Sequence, residues 1–206
     1  MAKIINMAVL ISGSGRTLQN FIDLIKKGDL PAKIRVVISS KPDVYGLERA
    51  AKNCIPAFVV DRSEFKSSND FSEVINNKLK DYSIDLITLA GFISLYKIPP
   101  IYEGKVMNIH PALLPTFGGK GFYGEKVHTA VIESGAKFSG CTVHFADNIY
   151  DKGPIIIQKV VPVLDNDTPE ALAERVFTEE MKAYPEAVKL FAEDRLKIKG
   201  RRVFIG

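Results

Sequence analysis

Ile4-Ile5-Asn6-Met7-Ala8-Val9-Leu10-Ile11 runs directly into Ser12-Gly13-Ser14-Gly15-Arg16-Thr17, after which Leu18, Phe21, Ile22 and Ile25 recur at i, i+3, i+4 and i+7. An apolar run of strand length, a glycine turn and a helical stripe in that order describe a buried strand feeding a helix. Gly28 stops the stripe, and Ile34-Arg35-Val36-Val37-Ile38 supplies a second strand. The segment therefore predicts one βαβ unit. The preceding Met1-Ala2-Lys3 gives a superficial likeness to a secretion signal. Asn6 interrupts the apolar core, however, and the sequence beyond it is Gly-rich and then amphipathic, which suits a first strand.

The same alternation continues outward. Apolar runs at 57–60, 85–90 and 106–109 read as further strands, and helices are expected over 47–53 and 71–82, the latter burying Phe71, Val74, Ile75 and Leu79. After Pro115 comes a Gly-rich loop, Phe117-Gly118-Gly119-Lys120-Gly121, then a helix carrying Val127, Val131 and Ile132. Strands at 138–146 and 155–163 follow, joined by too few residues for a helical crossover, so they are expected to be antiparallel. Thr168-Pro169 reads as an N-cap followed by proline at the first helical position, opening a helix toward residue 194 with a kink or break at Pro185. The tail, 196–205, reads as one final strand. This pattern predicts an α/β fold, a mostly parallel sheet covered by helices, with antiparallel strands toward the C-terminus. No repeat or linker-like stretch divides it, so residues 1–206 are expected to form one domain.

Composition narrows the class. The chain has 206 residues, 46% apolar and 25% charged with a net charge of +4, values that exclude disordered and fibrous classes. No apolar run approaches the roughly 18 residues that cross a bilayer, so no membrane is expected as a partner. Two cysteines, Cys54 and Cys141, do not make a disulfide framework and fit a reducing cytoplasm. His110, His128 and His144 are too far apart in sequence for a metal motif, and no metal is expected. The basic tail, Arg195, Lys197, Lys199, Arg201 and Arg202, lacks interleaved aromatics apart from Phe204. It reads as a solvated edge strand, and nucleic acid is not expected as a partner.

Three constellations could carry chemistry. Ser12 to Thr17 lies where a strand ends and a helix begins, where free N–H groups and the positive helix end favour an anion. Leu18 occupies the third glycine position of a dinucleotide fingerprint and the P-loop Lys-Ser/Thr pair is missing, so a phosphate monoester is the natural guest, with a bare βα turn as the alternative. Asn108 and His110, two apart in a strand, share one face at its carboxyl end, where open α/β sheets place ligands. The alternative for His110 is a core histidine capped by a carbonyl. Asp151, in Asp151-Lys152-Gly153-Pro154, is either a turn initiator or a carboxylate facing His110.

Asn108-Ile109-His110-Pro111-Ala112-Leu113-Leu114-Pro115, taken with Asp151-Lys152-Gly153-Pro154, resembles the folate-dependent formyltransferases. Further matches are Val9 to Gly15, Tyr45-Gly46-Leu47-Glu48-Arg49-Ala50, Leu89-Ala90-Gly91-Phe92, Gly140 to Phe145 and Arg175-Val176, in order along nearly the whole chain. The resemblance implies a Rossmann-like sheet with helices on both faces. It implies transfer of the formyl group of 10-formyltetrahydrofolate to the amine of glycinamide ribonucleotide in de novo purine biosynthesis. Under it Asn108 and His110 would stabilise the oxyanion, His110 would donate a proton, and Asp151 would raise the pKa of His110. Gly13, Gly15, Arg16 and Thr17 would hold the acceptor's ribose phosphate and Glu180 its sugar. Ser68, Ile93, Ser94, Leu95 and Tyr96, with Asn108 and the loop Asp147, Asn148, Ile149, Tyr150 and Asp151, would bind the folate. Thr17 stands where many relatives carry Asn, and Ser68 and Ser94 where Arg is frequent. Small-molecule partners only, a monomer or homodimer, and a cytoplasmic location are implied. Other readings are formylation of an aminoacyl-tRNA, hydrolysis of the formyl folate, and a non-catalytic phosphate- or nucleotide-binding module. Length argues against the first two, and the Asn108, His110 and Asp151 set against the third.

Overall fold

The computed structural model describes residues 3–206; Met1 and Ala2, the start of the stretch that resembles a secretion signal, lie outside the described residues. The chain divides into two compact units, residues 1–107 with 192–194, and residues 108–191 with 195–206. In the first, strands β1 (Ile5–Ile11), β2 (Ala32–Ser39), β3 (Ala57–Val59) and β4 (Leu86–Leu89) lie in the order β3-β2-β1-β4. Every pairing among these four is parallel, with Leu10 opposite both Ile38 and Leu89. β1 is thus flanked on both edges, which is why it is apolar almost throughout rather than alternating. Helix α1 (Arg16–Lys27) follows β1 and buries Thr17, Leu18, Phe21 and Ile22. It ends at Gly28 (φ +80), where the N–H groups of Gly28 and Asp29 close onto the carbonyls of Ile25 and Leu24.

Helix α2 (Tyr45–Lys52) begins two residues earlier than the apolar spacing predicts, and α3 (Ser68–Leu79) three residues earlier. The second difference has a local cause: Ser67 Oγ accepts the Asp70 N–H at 3.1 Å and caps the helix. A 3-10 turn over Lys80–Tyr82 completes the span expected to be helical.

The second unit contains β5 (Val106–His110, from Asn108 onward), β6 (Phe138–Phe145), β7 (Ile155–Pro162), β8 (Leu196–Lys199) and β9 (Arg202–Ile205), ordered β5-β6-β7-β9-β8. β6 and β7 pair antiparallel, from Phe138 opposite Pro162 to His144 opposite Ile155. Helix α4 covers Glu125–Glu133 and α5 covers Pro169–Ala192. Thr168 caps α5 through the Ala171 N–H, and Arg175 grips Asp167 with two bonds of 2.6 and 2.8 Å while also reaching the Pro162 carbonyl. The result is an α/β fold, parallel in its first unit and largely antiparallel toward the C-terminus.

Two expectations need correction. α5 does not break at Pro185; it continues as a helix of 24 residues. Tyr184, Ala187 and Val188, on either side of the proline, are fully buried, and this packing outweighs the one backbone bond that Pro185 cannot donate. The tail is not one strand but a hairpin, β8 and β9 pairing antiparallel about Gly200, whose φ is +60°. Among the described residues no helix is long and apolar enough to cross a membrane.

One close approach positions the glycine turn after β1. A Cβ on Gly46 would lie 2.4 Å from Ile11 Cδ1 and 2.9 Å from the Gly13 carbonyl oxygen, and one on Gly15 2.7 Å from Gly46 Cα. α2 can reach the turn only because both positions lack side chains. Gly46→Ala is expected to destabilise the protein by about 1–3 kcal/mol through overpacking, read as a lower urea midpoint; an unchanged midpoint would show that the contact yields freely.

Candidate active site

The end of β5 supplies the first two polar groups. Asn108 and His110 alternate with the buried Met107 and Ile109, so their side chains share the other face of the strand. Both reach Asp151: Asn108 Nδ2 donates to Asp151 Oδ1 at 3.3 Å, and His110 Nδ1 lies 3.5 Å from Asp151 Oδ2. The Asp151 side chain is only 9% exposed. These three groups, singled out in the sequence, are therefore brought into one cluster within the second unit.

The cluster has members that sequence reasoning missed. His144, near the end of β6 and 1% exposed, places Nε2 3.2 Å from Asn108 Nδ2 and 3.7 Å from Asp151 Oδ1. Its Nδ1 lies 2.8 Å from the Phe145 carbonyl, which can only accept, so Nδ1 carries a hydrogen. The alternation of β6 was the available signal, since it turns His144 to the same side as Thr142. The Gly-rich loop also contributes. His110 Nε2 donates to the Phe117 carbonyl at 2.8 Å, and the Gly119 N–H donates to Asp151 Oδ2 at 2.8 Å. Gly118 between them has no room for a side chain, since a Cβ there would meet Leu114 Cδ2 at 2.4 Å and Asp151 Cβ at 3.3 Å. His110 thus has the carbonyl cap of a core histidine and faces the carboxylate as well.

Burial and charge compete here. Burial pushes the His110 imidazolium down; the Asp151 charge and the Phe117 carbonyl pull the other way, as expected of Asp151, but do not offset it, and His110 stays below its ordinary value. Burial pushes the Asp151 carboxyl up, yet the interaction with His144, the charge of His110 and the Gly119 N–H outweigh it and hold the carboxyl below the usual range. His128 on α4 is also pushed down, by burial first and the charge of His110 second, and its Nδ1 has no protein partner.

The remaining candidate residues fall as follows. In the first unit, Gly13 and Gly15 form the turn before α1, Gly15 at φ +71°, with Arg16 exposed and Thr17 buried at the helix start. Ser68 opens α3 half-buried, and its carbonyl accepts the Ser72 hydroxyl. The Ile93 N–H donates to Ser12 Oγ, which lies 2.6 Å from Ser40 Oγ, so this node ties the segment after β4 to the end of β1. Ser94 and Leu95 are half-buried, whereas Tyr96 is buried with its hydroxyl on Asn76, so its ring belongs to the core. In the second unit, Asp147 Oδ1 accepts the Ile149 N–H and turns the chain, leaving Asn148 and Ile149 exposed and Tyr150 half-buried before Asp151. Glu180 is half-buried on α5, and its charge helps to push the buried Cys141 thiol up to about 12, after burial itself. That thiol is no nucleophile at neutral pH. Among the described residues no group of His, Cys, Asp and Glu side chains is arranged to hold a metal ion.

The depressed histidines carry a stability consequence. Below the ordinary histidine value of about 6.5 the unfolded chain takes up protons that buried His110 and His128 resist, so stability present above that pH is lost as pH falls through it. Asp151, also depressed, adds a further loss only at more acid pH. The urea midpoint is expected to drop between about pH 7 and pH 5, and to drop less steeply in His128→Leu. A midpoint that stays level across this window would contradict the assignment.

Comparison with known proteins identifies the family. The formyl transferase family model matches residues 5–188. The chain is 41% identical over 192 residues to the chloroplastic phosphoribosylglycinamide formyltransferase of Vigna unguiculata, covering 92% of this chain and 62% of that one. It is 39% identical over 201 residues to phosphoribosylglycinamide formyltransferase of Haemophilus influenzae, covering 97% and 92% respectively. The crystal structure of glycinamide ribonucleotide transformylase 1 from Symbiobacterium toebii superposes with a TM-score of 0.90 at 43% identity, covering 98% of this chain and 94% of that one. The chain thus spans under two thirds of the plant relative's length but nearly all of the bacterial ones. With the match extending from β1 through α5 and including the Asn108, His110 and Asp151 cluster, the chain belongs to the formyl transferase family.

Proposed function

We propose that this chain is a phosphoribosylglycinamide formyltransferase, transferring the formyl group of 10-formyltetrahydrofolate to the amine of 5-phosphoribosylglycinamide in de novo purine biosynthesis. The observation that carries the reading is the convergence of Asn108, His110 and Asp151, with Asn108 Nδ2 3.3 Å and His110 Nδ1 3.5 Å from the same carboxylate. A binding module would have no use for such a set.

The chemistry follows from the groups. The acceptor amine attacks the formyl carbon, forming a C–N bond and placing negative charge on the formyl oxygen. Beside the Gly119 N–H, the Asn108 amide and the His110 ring are the side-chain N–H donors at this cluster, and turning them from their protein acceptors to the formyl oxygen stabilises the oxyanion. The attacking amine then loses a proton, the folate nitrogen gains one, and the bond from that nitrogen to the formyl carbon breaks. Asp151 is the adjacent base, kept ionised by the partners that hold its carboxyl low, and His110 beside it is the proton donor to the leaving nitrogen. No metal is needed for these steps. Formyl folate is a cosubstrate, consumed at each turnover.

In this reading the turn of Gly13, Gly15, Arg16 and Thr17 holds the acceptor phosphate at the start of α1, and Glu180 its sugar. Ser68, the 93–96 segment and the loop from Asp147 to Asp151 bind the folate. The two unpaired cysteines suit a cytoplasmic setting.

Asn108→Ala is expected to leave substrate KM values within a few-fold and lower kcat by on the order of a hundred-fold or more, measured as acceptor-dependent release of deformylated folate. Near-normal turnover would remove Asn108 from the site, and folate release without acceptor would favour a hydrolase. In Asp151→Asn the carboxylate no longer raises His110, so the limb of the kcat/KM profile that reports His110 should move to lower pH. An unmoved limb would uncouple the two.

A further inference from the structure

The segment Tyr45-Gly46-Leu47-Glu48-Arg49-Ala50 has no part in the reaction so far, yet two of its groups grip the glycine turn. The Gly46 N–H donates to the Gly13 carbonyl at 3.2 Å, and Arg49 Nε donates to the Ser14 carbonyl at 2.9 Å. In a trans peptide the N–H points opposite to the C=O of the same plane. Pinning the Gly13 and Ser14 carbonyls onto α2 therefore aims the next two N–H groups, those of Ser14 and Gly15, away from α2. Among the described residues no backbone carbonyl accepts from either of them. The guanidinium is itself fixed: Nη1 donates to Gln19 Oε1 on α1 at 3.1 Å, and Cζ lies 4.7 Å from the centroid of the Tyr45 ring. A planar fork bonded at two points and stacked on an aromatic ring has one orientation, which a lysine ammonium could not reproduce.

We infer that Arg49 is a positioning residue for the acceptor phosphate, orienting the backbone N–H groups of Ser14 and Gly15 by holding the Ser14 carbonyl. The inference rests on the reading of this turn as the phosphate site. Arg49 acts on binding of the phosphorylated acceptor and not on the transfer step, so its effect belongs in KM and not in kcat.

The test compares glycinamide ribonucleotide with its dephosphorylated riboside as acceptors, in the wild type and in Arg49→Met and Arg49→Lys, with the melting temperature of each variant recorded. In Arg49→Met the KM for the ribonucleotide should rise at least tenfold with kcat within about twofold, while the KM for formyl folate and the rate with the riboside stay unchanged. Arg49→Lys, which keeps the charge and loses the fork, should show most of the same rise and serves if the methionine variant does not fold. A lysine variant with wild-type KM would overturn the inference in favour of simple charge. A fall in kcat shared by both acceptors would overturn it in favour of a purely structural role. A wild type that treats both acceptors alike would overturn the phosphate reading itself, and the assignment of Arg49 with it. A wild type that discriminates, with variants that discriminate equally, would overturn the Arg49 assignment alone.

Discussion

A carboxylate withdrawn from water must find donors around both oxygens, and the second unit is arranged to supply them to Asp151. One oxygen takes the Asn108 amide and faces His144; the other takes the Gly119 N–H and faces His110. These partners come from three separate stretches, β5, β6 and the Gly-rich loop, and they meet Asp151 on its own loop. The antiparallel β6–β7 pair brings the latter within reach, since its connection carries Asp151 back past the end of β6. Removing the Asn108 amide or the Gly119 N–H leaves a buried charge short of a donor, so the packing of this unit and the chemistry proposed for it rest on the same bonds.

The electrostatic balance suits the proposed proton movement. His110 is held low mainly by burial and Asp151 low by its donors, so the pair combines a ring that gives up a proton readily with a carboxylate that stays ionised. The Phe117 carbonyl and the Asp151 carboxylate face the two ring nitrogens of His110, which fixes the plane of the imidazole. A single loop thus presents an acceptor to the histidine and, two residues later, a donor to its carboxylate.

Much of this was legible in the sequence because it depends on short-range patterns. The strand, glycine turn and helix from Ile5 to Lys27 follow from periodicity and from the backbone freedom of Gly15. The shared face of Asn108 and His110 follows from the period of a strand. What escaped depends on contacts distant in sequence. The alternation of β6 gave the face of His144, but not its neighbours, which appear only once β6 lies beside the end of β5. Pro185 read as a kink or break because its propensity is strongly unfavourable, whereas the burial of Tyr184, Ala187 and Val188 keeps the helix unbroken through it. The hairpin of β8 and β9 was hidden because its turn, Gly200-Arg201, lies inside a run of basic residues that reads as one exposed edge. The backbone roles of Phe117 and Gly119 were invisible because a carbonyl or an N–H has no letter in the sequence.

Asp151 also sits at φ +55°, in the left-handed region where glycine is most at ease and aspartate or asparagine is tolerated. The backbone at this position would accept glycine or asparagine without rearrangement, and glycine would even relieve local strain. The demand for a carboxylate at 151 therefore comes from its side-chain partners and not from the backbone. Asparagine, of nearly the same shape and equally at ease at this φ, would keep the chain path while turning one of the two acceptors into a donor, so an exchange there separates the backbone's requirement from the carboxylate's.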